Sequence, residues 1–99
     1  MYRATTPTHR FRIPIPLETI AEARICYFQN NREILSKKMS DCNKEGNNVL
    51  FVTLTQEETK SFSEGAVQIQ LRIKTLNGDV AASKVYTTTC EKVLDDEVM

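Results

Sequence analysis

The sequence predicts an all-β domain, an immunoglobulin-like antiparallel β-sandwich of about six to seven strands with one short helical turn near residues 56–62. Three observations carry this. Val67 to Thr75 alternates Val67, Ile69, Leu71 and Ile73 with Gln68, Gln70, Arg72 and Lys74, the period of a strand with one face in the core. Val49 to Leu54 is an unbroken run of strand-forming residues. Asn77-Gly78 sits where a type I′ hairpin needs two residues that adopt positive φ at little cost.

The remaining elements follow in chain order. Thr8 to Ile15 sets Phe11, Ile13 and Ile15 against Arg10, Arg12 and Pro14, a half-buried strand. Pro14 and Pro16 cannot donate to a ladder and confine it to an edge. Leu17 to Ala23 reads as a connector, its spacing compatible with a helical turn. Arg24 to Gln29 is apolar on both sides, as in a central strand, and Asn30-Asn31 tolerates the positive φ that lets Glu33 to Met39 return beside it. Asp41 to Asn48 is rich in Asn and Gly and reads as a loop. Thr55-Gln56-Glu57-Glu58 fits a capping box, opening a helical turn that runs through Phe62 and stops at Gly65. The closing strand, Val80 to Val93, is long enough that Ala81-Ala82-Ser83 is the expected place for a bulge or kink. A small open barrel is the alternative architecture.

At 99 residues the chain is expected to form a single β-sandwich domain over 1–99, with 1–7 a flexible N-terminal arm and 95–99 a frayed acidic tail. Thirteen Lys and Arg balance thirteen Asp and Glu, so no global field favours nucleic acid or an anionic membrane. No apolar run approaches the roughly 20 residues that cross a bilayer, and Met1 to Pro7 lacks the apolar centre of a signal peptide. The expectation is a protein made and kept in the cytosol. Cys26, Cys42 and Cys90 lack metal or redox spacing and are expected as reduced thiols, with Cys26 and Cys90 packed inside strands.

No cofactor, metal or small-molecule substrate is expected, and no catalytic residue. His9, the one histidine, stands near the exposed start of the first strand, and a general base needs a second group to orient it. Glu57-Glu58 suits a helix start, and Gly46, Gly65 and Gly78 lie too far apart for a phosphate loop. Two features offer partner contacts. The polar row Gln68, Gln70, Arg72 and Lys74 can face a ligand, with Thr87-Thr88-Thr89 on the neighbouring strand. The N-terminal segment, through Phe11 and Arg12, can lie on a neighbour. Too few aromatics interleave the basic residues for a nucleic-acid platform.

Thr6-Pro7-Thr8-His9-Arg10-Phe11-Arg12-Ile13-Pro14, Tyr27-Phe28-Gln29, Leu54-Thr55-Gln56-Glu57-Glu58-Thr59, Val67-Gln68-Ile69-Gln70-Leu71-Arg72 and Gly78-Asp79-Val80-Ala81-Ala82-Ser83 together resemble a family of roughly hundred-residue proteins encoded in phages and prophages of Firmicutes. The resemblance implies a non-enzymatic virion or virion-assembly protein, assembled in the host cytoplasm and acting through contacts with other phage structural proteins or with itself as a homo-oligomer. A phage-encoded regulatory or anti-defence protein that binds a host factor is the alternative.

Overall fold

Eight strands and one helix make up the computed structural model, which describes residues Met1–Met99. They are β1 (Thr8–Arg12), β2 (Ile20–Gln29), β3 (Arg32–Lys38), β4 (Asn43–Glu45), β5 (Val49–Thr53), α1 (Gln56–Lys60), β6 (Gly65–Thr75), β7 (Val80–Ala82) and β8 (Tyr86–Cys90). They pair antiparallel in two sheets that pack as a sandwich, as the patterning predicts. The smaller has the order β1-β5-β4. The larger runs β3-β2-β6, and the far side of β6 is shared by β7 along one half and β8 along the other.

The core lies where the alternating rows meet. Val67, Ile69 and Leu71 of β6 and Ala23, Ile25 and Tyr27 of β2 face Phe11 and Ile13, Leu50 and Val52, and Leu54. Burying each large side chain contributes about 1.5–3 kcal/mol. Phe62, carried in just after α1, closes one end against the Tyr27 ring at 5.8 Å. The predicted capping box holds α1 in place. Thr55 Oγ1 accepts from the Glu58 amide at 3.1 Å, and the Glu58 carboxylate accepts from the Thr55 amide at 2.8 Å.

β2 is longer than the sequence suggests. Only Leu17–Thr19 is helical, as a single 3-10 turn, and the strand begins at Ile20. The register slips between Ile20 and Glu22, so a bulge puts Ile20 and Ala23 on the same buried side. Three-residue spacing of buried side chains is also what a helix gives, which is why this stretch reads as a connector. β4 likewise pairs with β5 inside the expected loop, before Gly46 turns the chain at φ 61°.

The two hairpin turns exchange roles. Asn30 and Asn31 have φ of 51° and 63° between the paired Gln29 and Arg32, the two positive values a type I′ turn requires. At Asn77-Gly78 only Gly78 is positive, at 91°. The Gly78 amide donates to the Thr75 carbonyl at 3.0 Å and Thr75 N–H to the Asp79 carbonyl at 2.8 Å. The loop is therefore the three residues Leu76–Gly78, with Gly in the left-handed position, and not a two-residue type I′ turn.

The closing strand is cut in two by the kink expected near Ser83. The Ser83 amide donates to the Leu71 carbonyl at 2.8 Å, while its hydroxyl accepts from the Leu71 amide at 3.0 Å. The hydroxyl thus stands in for the carbonyl that the kink removes from the ladder.

Residues 1–7 are not a free arm. Tyr2 forms a parallel bridge with Glu91, and the Arg3 amide donates to the Glu91 carbonyl at 3.1 Å. Thr59 Oγ1 donates to the Thr5 carbonyl at 2.9 Å and lies 3.1 Å from the Thr5 amide, which donates to it. At the other end, Arg3 pairs with Asp96 at 3.0 Å, and Gln56 exchanges two hydrogen bonds with the main chain of Met99 at 3.2 and 2.7 Å. Tertiary contact overrides the polar, Pro-containing composition that suggests flexible ends.

Candidate interaction surface

In β6, pleating turns Gln68, Gln70, Arg72 and Lys74 away from the core, as the alternation predicts. The paired strands then decide what stands beside them. Arg72 is directly opposite Arg24 of β2, and Arg24 is directly opposite Lys38 of β3. One step along, Lys74 faces Glu22 on one side and Val80 on the other. Arg24, Lys38, Arg72 and Lys74 are all exposed and form one cationic patch on the outer face of the larger sheet. None of them takes part in an ion pair; the three ion pairs of the molecule are Arg3–Asp96, Arg10–Glu45 and Lys37–Glu58.

Like charges directly opposite across a ladder are destabilising, at an exposed site by some tenths of a kcal/mol per pair. The Lys38–Arg24–Arg72 row makes two such pairings. A shallow groove of ≈ 460 Å³ opens here, lined by Arg24, Arg72, Lys74 and Glu22 on the two middle strands, with Lys38 and the partly core-packed Met39 at one side and Val80 at the other.

The six residues singled out from the sequence divide. Arg72 and Lys74 belong to the patch. Gln68 is on the same face but towards its other end, opposite Phe28 and Thr87. Gln70 is taken up by the kink, donating from Nε2 to the Ser83 carbonyl at 2.9 Å. Phe11 is buried and packs edge-on against Tyr86 at 6.2 Å, so it is a core residue and not part of a contact arm. Arg12 is exposed on β1, in the smaller sheet, away from the row. Sequence reasoning missed Arg24 and Lys38. The Asn30-Asn31 hairpin brings them opposite one another, and the pairing of β2 with β6 then adds Arg72.

A second group of polar side chains lies inside the sandwich. His9 is half-buried, not exposed at a strand end, and its Nδ1 is hydrogen-bonded to the Tyr27 hydroxyl at 2.7 Å. Burial lowers the His9 pKa, with a further push from the positive N-terminal amine. Burial also raises the Tyr27 hydroxyl, reinforced by Cys42 and Glu58. Burial would lift Glu58 too, but the Lys37 ammonium and the Thr55 donors outweigh it and hold its carboxyl below the usual range. Cys26 and Cys90 are buried in strands as expected, and burial raises the pKa of all three thiols. Each of these shifts favours the uncharged form of His9, Tyr27 and the cysteines.

No family model, curated protein or solved structure matches the chain. The cationic face is accordingly understood from its own chemistry. No helix is long and apolar enough to cross a membrane.

Proposed function

We propose that this chain is a non-enzymatic contact protein of a phage or prophage particle, working through the outer face of its larger sheet. The observation that carries the reading is the exposed Lys38–Arg24–Arg72 row, two like-charged cross-strand pairings with no counter-ion in the fold. Such a row weakens the isolated domain and strengthens any complex whose partner brings carboxylates to it. The sheet edges favour the face over strand addition. β3 ends in Lys37 and Lys38, and the opposite edge is interrupted by the Ser83 kink, both devices that discourage edge pairing. The resemblance to small phage-encoded proteins supplies the particle context.

Mass spectrometry of purified particles tests the reading. The chain is expected in many copies per particle, and the double variant Arg24→Glu with Arg72→Glu is expected to be incorporated poorly. Particles without the chain, with wild type but not the variant retaining a host protein, would replace this reading with the regulatory one. Tight binding to duplex DNA or RNA at about 150 mM salt would overturn contact with protein altogether.

A further inference from the structure

The same molecule carries the complement of its own cationic groove. β6 spans the sandwich, with Lys74 near one end and Gly65 at the other, roughly 30 Å away at about 3.3 Å per residue. At the Gly65 end, Cys90 is opposite Gly65, which brings the chain from Glu91 onward beside Glu64 and α1. That segment, Glu91-Lys92-Val93-Leu94-Asp95-Asp96-Glu97, is held in place by the Tyr2 bridge to Glu91, the Arg3–Asp96 pair and the Gln56–Met99 hydrogen bonds. Glu64, Glu91, Asp95 and Glu97 are exposed and enter no ion pair, with Arg32, Lys60 and Lys92 the free bases nearby. Between these acids Leu94 projects fully into solvent, at 102% relative exposure.

A large apolar side chain flanked by unpaired carboxylates matches a groove whose floor carries unpaired cations and whose side exposes Val80. We infer that the Glu91–Glu97 segment of one copy docks on the outer face of the next, with Leu94 against the exposed Val80 and with Asp95 and Glu97 meeting Arg24 and Arg72. Because the two surfaces differ and lie at opposite ends, the contact is head-to-tail. Repeated, it builds a ring or an open helical array and not a closed two-fold dimer. Glu22, on the same face opposite Lys74, limits the partner charge accepted there and sets the carboxylates on the Arg24–Arg72 side. This inference rests on the reading of the outer face as a contact surface, and it names a second copy of the chain as the occupant.

Sedimentation velocity over a concentration series tests it. Wild type is expected to assemble beyond dimer at about 20 mM salt and to dissociate at about 500 mM, where the Debye length falls to a few Å. Leu94→Ala, and separately Arg24→Glu with Arg72→Glu, should each raise the dissociation constant by about tenfold or more. The charge exchange is the sharper arm. A chain bearing Arg24→Glu and Arg72→Glu, mixed with one bearing Asp95→Lys and Glu97→Lys, should recover association that the first lacks alone. All of these positions are exposed, and circular dichroism establishes that each variant is folded. A wild type that stays monomeric at low salt, an assembly indifferent to these substitutions, or a mixture that fails to recover association would each overturn the inference. If self-association fails while particles still take up wild type in preference to the Arg24/Arg72 variant, the contact reading stands and only the identity of the occupant falls.

Discussion

Polar groups gather in two regions of this sandwich, and the regions treat them in opposite ways. Inside, the polar side chains are answered almost throughout, Arg3 Nε being the buried exception. His9 meets Tyr27, Lys37 meets Glu58, Gln29 reaches Ser63 and Ala66, and the Thr59 hydroxyl serves both Thr5 and Gln56. On the outer face of the larger sheet, Arg24, Lys38, Arg72 and Lys74 stand together and enter no ion pair, although Glu22 lies across from Lys74. Where burial makes an unpaired group expensive, partners are present; where water screens the charge, the fold tolerates repulsion. A polar group that stabilises the fold is recognised by its partner, and one reserved for association by the lack of one.

Substitutions on the two sides should therefore change stability with opposite sign. The largest effect is expected inside. Thr59→Val keeps the shape of a fully buried side chain but leaves the Thr5 amide and carbonyl without their partner, a loss of about 1–3 kcal/mol in urea unfolding. Amide exchange at Thr5 and Arg3 should quicken with it, and unchanged protection there would contradict the role given to Thr59.

An intermediate effect is expected from pH. The folded-state pKa of His9 is lowered by burial, so as pH falls the unfolded chain takes up this proton first. The stability linked to His9 is complete above its ordinary value of about 6.5 and declines as pH drops from there towards the folded value. Urea midpoints between about pH 7 and pH 5 should fall for wild type and fall less for His9→Gln, a comparison that reads the interior pair alone.

The smallest effect has the opposite sign. Arg24→Gln removes both like-charged pairings of the outer row, and the domain should gain some tenths of a kcal/mol, up to about 1 kcal/mol. The gain should shrink in high salt, since wild type is relieved by screening while the variant has little left to relieve. A loss of stability on this substitution would show that Arg24 contributes more through its aliphatic stem than it costs through its charge.

Elements whose signal is local were legible from the sequence. The 67–75 alternation, the Thr55–Glu58 capping box, the Asn30-Asn31 hairpin and the kink near Ser83 each depend on residues adjacent in the chain. What escaped depends on partners far away or on a change of phase. The bulge at the start of β2 hides a strand behind helix-like spacing. The turn at Asn77-Gly78 contains the right residues but loops over three positions, because Thr75 pairs with Asp79. Docking of residues 1–7 needs β8 and Thr59, more than fifty residues distant. Half of the cationic patch was legible, Arg72 and Lys74, because a single strand shows which of its own residues share a face. Arg24 and Lys38 join only when the strand order is known.

The clasp between the first residues and the end of β8 also bears on how the chain folds. Tyr2 and Glu91 meet across nearly the whole sequence, and β1 must wait for β5. Most native contacts are long-range, so entropy lost in closing long loops comes before most of the stabilising contacts form, the signature of a slow-folding topology. The β2–β3 hairpin, with its favourable turn, is the piece able to form early. The strap at residues 1–5, whose partners Thr59 and Glu91 lie more than fifty residues away, is then expected among the last pieces to close.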